Sequence, residues 1–264
     1  MKLKEILTLI NRKGGNGKTT TTSAIAAGFL SKGYRVLTID LDGQCSISHI
    51  MRAKIDVSIL DVLLKKIRIA DAIQHTDAGD IIAANPGLDM ADMQLTEQGR
   101  ELLLKNLLDE LVNDYDLIVL DTLPAFGVLT LNSLAAASGI IIPSQADILS
   151  LNALRQTYEL IQSARQAVNA SLVIRGILIT RFNQRSILNR DLADAFTDAA
   201  TQMKTCLFKT RIRESVIIKE AQARQQDIFS YSLHSNPAKD YMAFVDELET
   251  MLFKKSKTSR KGKL

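Results

Sequence analysis

The chain has 264 residues, 46% of them hydrophobic and 23% charged, with two cysteines and a formal net charge of +4. That composition excludes a disordered or disulfide-stapled chain, and no run approaches the ~18 consecutive apolar residues of a membrane span. The length fits one large α/β domain with a sizeable core.

Residues 1–5 run directly into the apolar stretch Ile6-Leu7-Thr8-Leu9-Ile10, which leaves no room for a cleavable secretion signal. This predicted strand leads into Asn11-Arg12-Lys13-Gly14-Gly15-Asn16-Gly17-Lys18-Thr19-Thr20, and a helical pattern follows over 19–31, closed by Gly33. Strand, glycine-rich turn and helix in that order form the context of a phosphate-binding loop. Its backbone N–H groups curl around anionic oxygens, and the helix N-terminus adds partial positive charge. Lys18 would reach the terminal phosphates and the Thr19 hydroxyl would ligate Mg²⁺. The loop departs from the common pattern at Arg12, where a glycine is usual, and carries a second lysine, Lys13.

A second buried strand over 35–40 ends on Asp40-Leu41-Asp42-Gly43-Gln44. Acids at a strand end beside the phosphate loop are placed to hold Mg²⁺ or orient a water. With Leu41 in the core, Asp40 and Asp42 should share a side for as long as strand geometry persists. A capped helix is predicted over 58–64, a shorter one over 69–73, a strand over 79–84 and a turn at Asn85-Pro86-Gly87. Residues 96–112 carry helical periodicity, with Leu102, Leu103, Leu107, Leu108 and Leu111 inward. The run from Tyr115 to Asp121 reads as a buried parallel strand delivering Asp121 towards a nucleotide-bound Mg²⁺, with a turn over 122–127 into another helix.

Strands over 140–143 and 173–179 and helices over 150–168, 187–202, 215–224 and 237–253 complete the pattern. Near-uniformly apolar strands alternating with helices specify a mostly parallel twisted sheet with helices on both faces, an α/β fold of P-loop NTPase type. One domain is expected over 1–253, followed by a tail over 254–264 that carries six basic residues and no acid. Without the tail the chain is slightly acidic, so the tail is a candidate polyanion contact. Cys45 and Cys206 form no metal or disulfide pattern, which suits a reducing cytoplasm. His49, His75 and His234 stand alone and read as surface or packing residues.

Together these stretches resemble the ParA/MinD family of deviant Walker A ATPases, most closely its small Soj-like partition members. The stretch from Lys13 to Thr20 is similar to the family's KGGxGKTT loop, residues 40–44 to its DxDPQ segment and residues 121–127 to its DxPPxxG segment. Pro143-Ser144-Gln145 and the stretch from Thr180 to Arg185 match two weaker motifs, the latter lying near the base and implicating Asn183 and Arg185.

The resemblance implies ATP and Mg²⁺ as ligands and two ATP-bound subunits packed face to face. In that arrangement Lys13 of each subunit touches the phosphates of the other, Lys18 holds the β and γ phosphates, and Asp42 orients the attacking water. Thr19 ligates Mg²⁺ and Asp121 supports it through its shell. The rest of the phosphate loop, Gly14, Gly15, Asn16, Gly17 and Thr20, contributes to cofactor binding. The departures are Asn16, in place of a small apolar residue and tolerable on a loop, and Gly43, Leu123 and Asn183.

It also implies slow, partner-stimulated ATP hydrolysis, a ParB-like stimulating protein, non-specific DNA binding by the dimer, and a nucleoid-associated, cytoplasmic location. The DNA-contact candidates are Arg211, Arg213, Lys219 and Arg224, with Arg211 and Arg213 expected just after the last strand. The alternative is a MinD-like membrane-cycling ATPase, for which Leu248, Met251, Leu252 and Phe253 offer only a short apolar face.

Overall fold

A computed structural model describes residues 4–111, 113–183 and 187–253. The first half of the chain runs β1 (Glu5–Leu9), α1 (Lys18–Ser31), β2 (Val36–Leu41), α2 (Ser46–Ile50), α3 (Ile59–Leu63), β3 (Gln74–Thr76), β4 (Gly79–Ile82), α4 (Ala91–Gln94), α5 (Leu103–Leu108) and β5 (Leu117–Thr122). It continues through α6 (Val128–Ala136), β6 (Gly139–Gln145), α7 (Ile148–Ala167), β7 (Val173–Phe182), α8 (Ile187–Gln202), β8 (Leu207–Arg213), α9 (Val216–Ala223), α10 (Ile228–Ser232) and α11 (Asn236–Phe253).

Among the described residues the strands form one sheet, ordered β3-β4-β2-β5-β1-β6-β7-β8, in which only β3 is antiparallel to its neighbour. Because β2, β4, β5 and β6 are apolar on both sides, helices must cover both faces. Leu7 and Leu9 of β1 pack with Phe29 of α1 and with Tyr241, Phe244, Val245 and Leu248 of α11. On the opposite face Ile39 and Leu41 meet α3, α5 and α6, while Ile140, Ile142 and Ile177 meet α7 and α8. β1 lies centrally between β5 and β6, so the chain winds away from it in both directions, and ligands of such sheets bind where the winding reverses.

The edges are treated differently. At one edge β3 turns back on β4 in a short hairpin that the sequence reading missed, its strand Gln-His-Thr being too short and polar to register. At the other edge, carboxylates of α11 take up backbone N–H groups of β8. Glu247 accepts from Lys209 and Thr210 at 2.9 and 3.1 Å, and Asp240 accepts from Arg213 at 3.1 Å.

Two expectations are corrected. The helix predicted over 96–112 is a 3₁₀ turn, Arg100–Leu102, followed by the short α5, because Gly99 sits at φ 79° and interrupts any continuous helix. Leu104, Leu108 and Leu111 are the buried residues there, whereas Leu103 and Leu107 are only partly buried. Arg211 and Arg213 lie within β8, not after it. The capping box at Ser58 and Asp61 forms as expected.

The Phe208 and Phe244 rings meet edge-to-face at 4.9 Å between centroids and join β8 to α11. Phe244→Ala should destabilise the fold by about 3–5 kcal/mol, read as a lowered urea midpoint.

Candidate functional site

The chain leaving β1 is fastened to the end of β6 before it turns. The Asn11 side-chain amide donates to the Pro143 carbonyl at 2.8 Å and to Ser144 Oγ at 3.0 Å, while its Oδ1 accepts from Lys13 N at 2.9 Å. Gly15 and Gly17 then adopt φ of 75° and 84°, conformations that side chains disfavour. The loop carbonyls point outward, with Thr180 Oγ1 donating to Asn16 O at 2.9 Å and Gln145 Nε2 to Gly15 O at 2.8 Å. Gly17 caps α1 and supplies no side chain, so the first N–H groups of α1 have no side-chain acceptor. Above them lies a cavity of about 740 Å³, lined by the loop and, across from it, by Asp42, Pro124, Thr180, Lys219 and Tyr241.

The floor of this cavity concentrates charge. Lys18 is only 7% exposed and donates to the Asn11 carbonyl at 3.3 Å. Burial lowers its pKa, and Asp121 and Asp42 oppose that shift. Asp40 and Asp121 are neighbours in the β2–β5 register and both are fully buried. Desolvation, followed by the neighbouring Asp40 charge, pushes the Asp121 carboxyl up to about 7, although Thr19, Lys18 and Thr22 favour its ionised form. Desolvation likewise raises Asp40 to about 6, against hydrogen bonds from Ser48 and from the backbone.

The two acids differ in what they reach. Asp40 Oδ2 accepts from Ser48 N and Oγ at 3.1 and 2.7 Å, and its Oδ1 accepts from Asp42 N at 3.0 Å. Asp40 is therefore consumed in holding α2 and the turn, while Asp42, which lies beyond the end of β2 at Leu41, faces the cavity. Asp121 Oδ1 accepts from Thr22 Oγ1 at 3.0 Å, but its Oδ2 is buried with no hydrogen-bond partner among the described residues.

Helix-start N–H groups without a side-chain cap, a buried ammonium, a threonine beside it and a buried carboxylate are together the donor and acceptor set that a nucleotide phosphate with Mg²⁺ requires. The residues fit that pair of ligands. Lys18 and the loop N–H groups would hold the phosphates, and Thr19 would hold the ion, with Asp121 supporting it.

Lys13 goes elsewhere. Its Nζ donates to both Asp147 oxygens at 2.9 and 2.7 Å and to Ser150 Oγ at 3.0 Å, on the rim at the start of α7. The same Ser150 hydroxyl lies 3.3 Å from Asn16 Oδ1. Asn16 is fully buried, not an exposed loop residue, and its Nδ2 has no hydrogen-bond partner.

The structure does not bring Asn183 to the cavity wall, and Arg185 lies outside the described residues. Phe182 is buried, with the Arg211 guanidinium 4.7 Å over its ring. Arg213 forms a two-pronged pair with Asp240 at 2.7 and 2.8 Å. Lys219 stands at the cavity mouth, and Arg224 sits at the end of α9, where its carbonyl accepts from Arg52.

Sequence reasoning missed Asp147, Tyr241 and Gln222, whose Nε2 donates to Thr20 Oγ1 at 2.9 Å, and it named Thr180 only as the head of a stretch near the base. Asp147 left a legible signal. It is a helix N-cap whose carboxylate accepts from Ser150 N at 2.7 Å, an Asp-x-x-Ser pattern just ahead of the periodic stretch.

The raised carboxyls carry a pH signature. Their folded pKa values exceed the ordinary carboxylate value, so the folded protein binds protons more tightly than the unfolded chain between about pH 4 and 7. Stability of the ligand-free protein should therefore fall as pH rises through that window. Asp121→Asn should flatten this slope in urea titrations at pH 5 and pH 8.

With the geometry in place, comparison with known proteins gives a consistent answer. The sequence model of an AAA-domain family matches residues 4–174. The chromosome-partitioning ATPase Soj of Treponema pallidum is 31% identical over 245 residues, covering 92% of this chain and 96% of its own. The chromosome partitioning protein ParA of Myxococcus xanthus is 31% identical over 249 residues, covering 92% and 87%. Among solved structures, the cobyrinic acid a,c-diamide synthase of Mycobacterium smegmatis, with bound ADP and magnesium, superposes with a TM-score of 0.82 at 30% identity over 98% of both chains. The same protein has also been solved with an ATP analogue and magnesium. Loop, buried acids, parallel sheet and full-length relatives converge: this chain is a P-loop ATPase that takes ATP and Mg²⁺, and it belongs to the ParA/MinD family.

Proposed function

We propose that the chain is an ATP-dependent dimerising switch for the partition of a plasmid, chromosome or mobile element. The observation that carries this reading is the divergence of two lysines five residues apart. Lys18 turns inward under the phosphate cradle, whereas Lys13 is held on the rim, 27% exposed, by Asp147. A lysine on the rim serves its own site poorly and a facing copy well. There it would neutralise charge developing on a transferring phosphoryl group. ATP then favours the dimer because the dimer binds it with one more cation.

In this reading Asp42 orients the attacking water, hydrolysis is slow, and a ParB-like protein speeds it. The domain spans 1–253, and the basic tail over 254–264 adds to a DNA contact made in the dimer by Lys219, Arg224 and the outward part of Arg211, with Arg213 restrained by Asp240. Nucleoid association follows from that contact. The Soj and ParA relatives support the assignment. Membrane cycling has weaker support. Leu248 and Leu252, half of the proposed apolar face, are buried in the core. The likeness to a protein named as an amide-forming synthase favours a ligase as a second reading. A ligase would cleave ATP only with its carboxylate substrate present.

Lys18→Ala should weaken ATP binding by about 100-fold or more in a titration with a fluorescent analogue. Lys13→Ala should keep that binding yet show no ATP-dependent dimer by light scattering, and a normal dimer would remove the cross-site role. The wild-type protein with ATP should bind random-sequence duplex DNA with an affinity that falls steeply across a salt series. Arg224→Glu should weaken it, and binding to anionic vesicles instead of DNA would overturn the partition reading.

A further inference from the structure

Strand β7 carries one residue too many near its end. Between the paired positions Ile179–Arg211 and Phe182–Arg213 it advances three residues while β8 advances two. Such a bulge is rare between parallel strands, and bulges re-aim side chains beside functional sites. The side chains follow the insertion. Ile177 and Ile179 pack in the cluster under α7 and α8, and Leu178 packs on the opposite face. Unbroken alternation would send Arg181 to the α7–α8 face and Phe182 to the other. Phe182 is instead buried with Ile179, and Arg181 lines the nucleotide cavity beside Thr180.

The backbone bears the cost of this turn. Arg181 takes φ 49°, a left-handed conformation that a residue with a Cβ adopts only under constraint from its surroundings. The other five described non-glycine residues with positive φ stand at helix ends, where that conformation is routine, and Arg181 is the one inside a strand. Among the described residues, no hydrogen bond or ion pair holds its guanidinium.

The bulge meets the part of the cavity that phosphate binding leaves free. The loop, Lys18 and Thr19 line one end, and a cavity of about 740 Å³ holds a whole nucleotide, not its phosphates alone. Beyond Thr20 the wall includes Ile212, Ile218 and Tyr241, and Gln222 ties α9 to α1 through Thr20 at 2.9 Å. Asn183, two residues past Arg181, does not line the cavity. Apolar side chains with one planar cation among them suit a flat aromatic ring, on which a guanidinium stacks.

We propose that Arg181 binds the base of ATP, its guanidinium lying against the adenine ring, with Ile212 and Ile218 completing the seat. The inference rests on ATP being the ligand of this cavity.

The test is calorimetric titration of the full chain with Mg²⁺-ATP and, separately, with Mg²⁺-tripolyphosphate, which has the phosphates and no base. Arg181→Ala should weaken ATP binding about tenfold and leave tripolyphosphate binding within about twofold. Arg181→Lys keeps the charge without the plane and should recover little of that loss. Arg181→Gly adopts φ 49° without strain, so it removes the side chain while keeping the bulge, and it should lose as much ATP affinity as Arg181→Ala. Wild-type ATP affinity in Arg181→Ala or Arg181→Gly would overturn the proposal. Equal losses for ATP and tripolyphosphate would also overturn it, because they would move the contact to the phosphates. Lys18→Ala should weaken both ligands, and undiminished binding of both by that variant would remove the phosphate site beneath the inference, whatever the Arg181 variants do.

Discussion

The site depends on three charged side chains buried at one end of α1. Lys18, Asp121 and Asp40 lie where water is scarce, and charges in such places persist only when they are partnered. The sheet brings the acids together, since β2 and β5 run in register with Asp40 beside Asp121. Burial is the main reason that both carboxyls titrate above the ordinary carboxylate range, and for Asp121 the neighbouring Asp40 charge adds to it. Without a ligand the arrangement is electrostatically incomplete, with one Asp121 oxygen lacking a partner. Nucleotide and ion supply the missing charges, and so binding energy is coupled to order at the floor of the cavity.

The loop directs its two lysines apart, which under the proposed function separates binding from assembly. Asn11 pins the start of the loop to β6, the two left-handed glycines turn its N–H groups inward, and Gly17 delivers Lys18 into α1. Lys13 precedes the turn and therefore cannot follow Lys18 into the floor. It meets Asp147 instead. The ion pair is partly exposed and worth little to stability, so holding Lys13 in place does not prevent its release.

Much of this was legible in the sequence. The phosphate loop is local, and its glycines and Lys-Thr pair read the same way before and after folding. The parallel sheet followed from apolar strands alternating with helices. What could not be read were contacts between distant segments. Nothing around Asn16 announced its hydrogen bonds with Ser150 and Thr180. The stretch over 86–102 failed for a different reason, since its leucine spacing mimics a helix that Gly99 interrupts. Asp40 and Asp42 looked equivalent until the strand ended between them. Periodicity cannot see where a strand ends.

The two sheet edges carry a final consequence. An exposed strand edge invites another chain to add to it, and such addition has no natural limit. Here three N–H groups of β8, those of Lys209, Thr210 and Arg213, are taken up by Glu247 and Asp240, and the opposite edge is a three-residue strand in a hairpin. Growth by strand addition is blocked at β8 and given little purchase at β3. The face-to-face pair proposed above would form instead at the nucleotide face, where a two-fold contact closes on itself and cannot extend into a fibre.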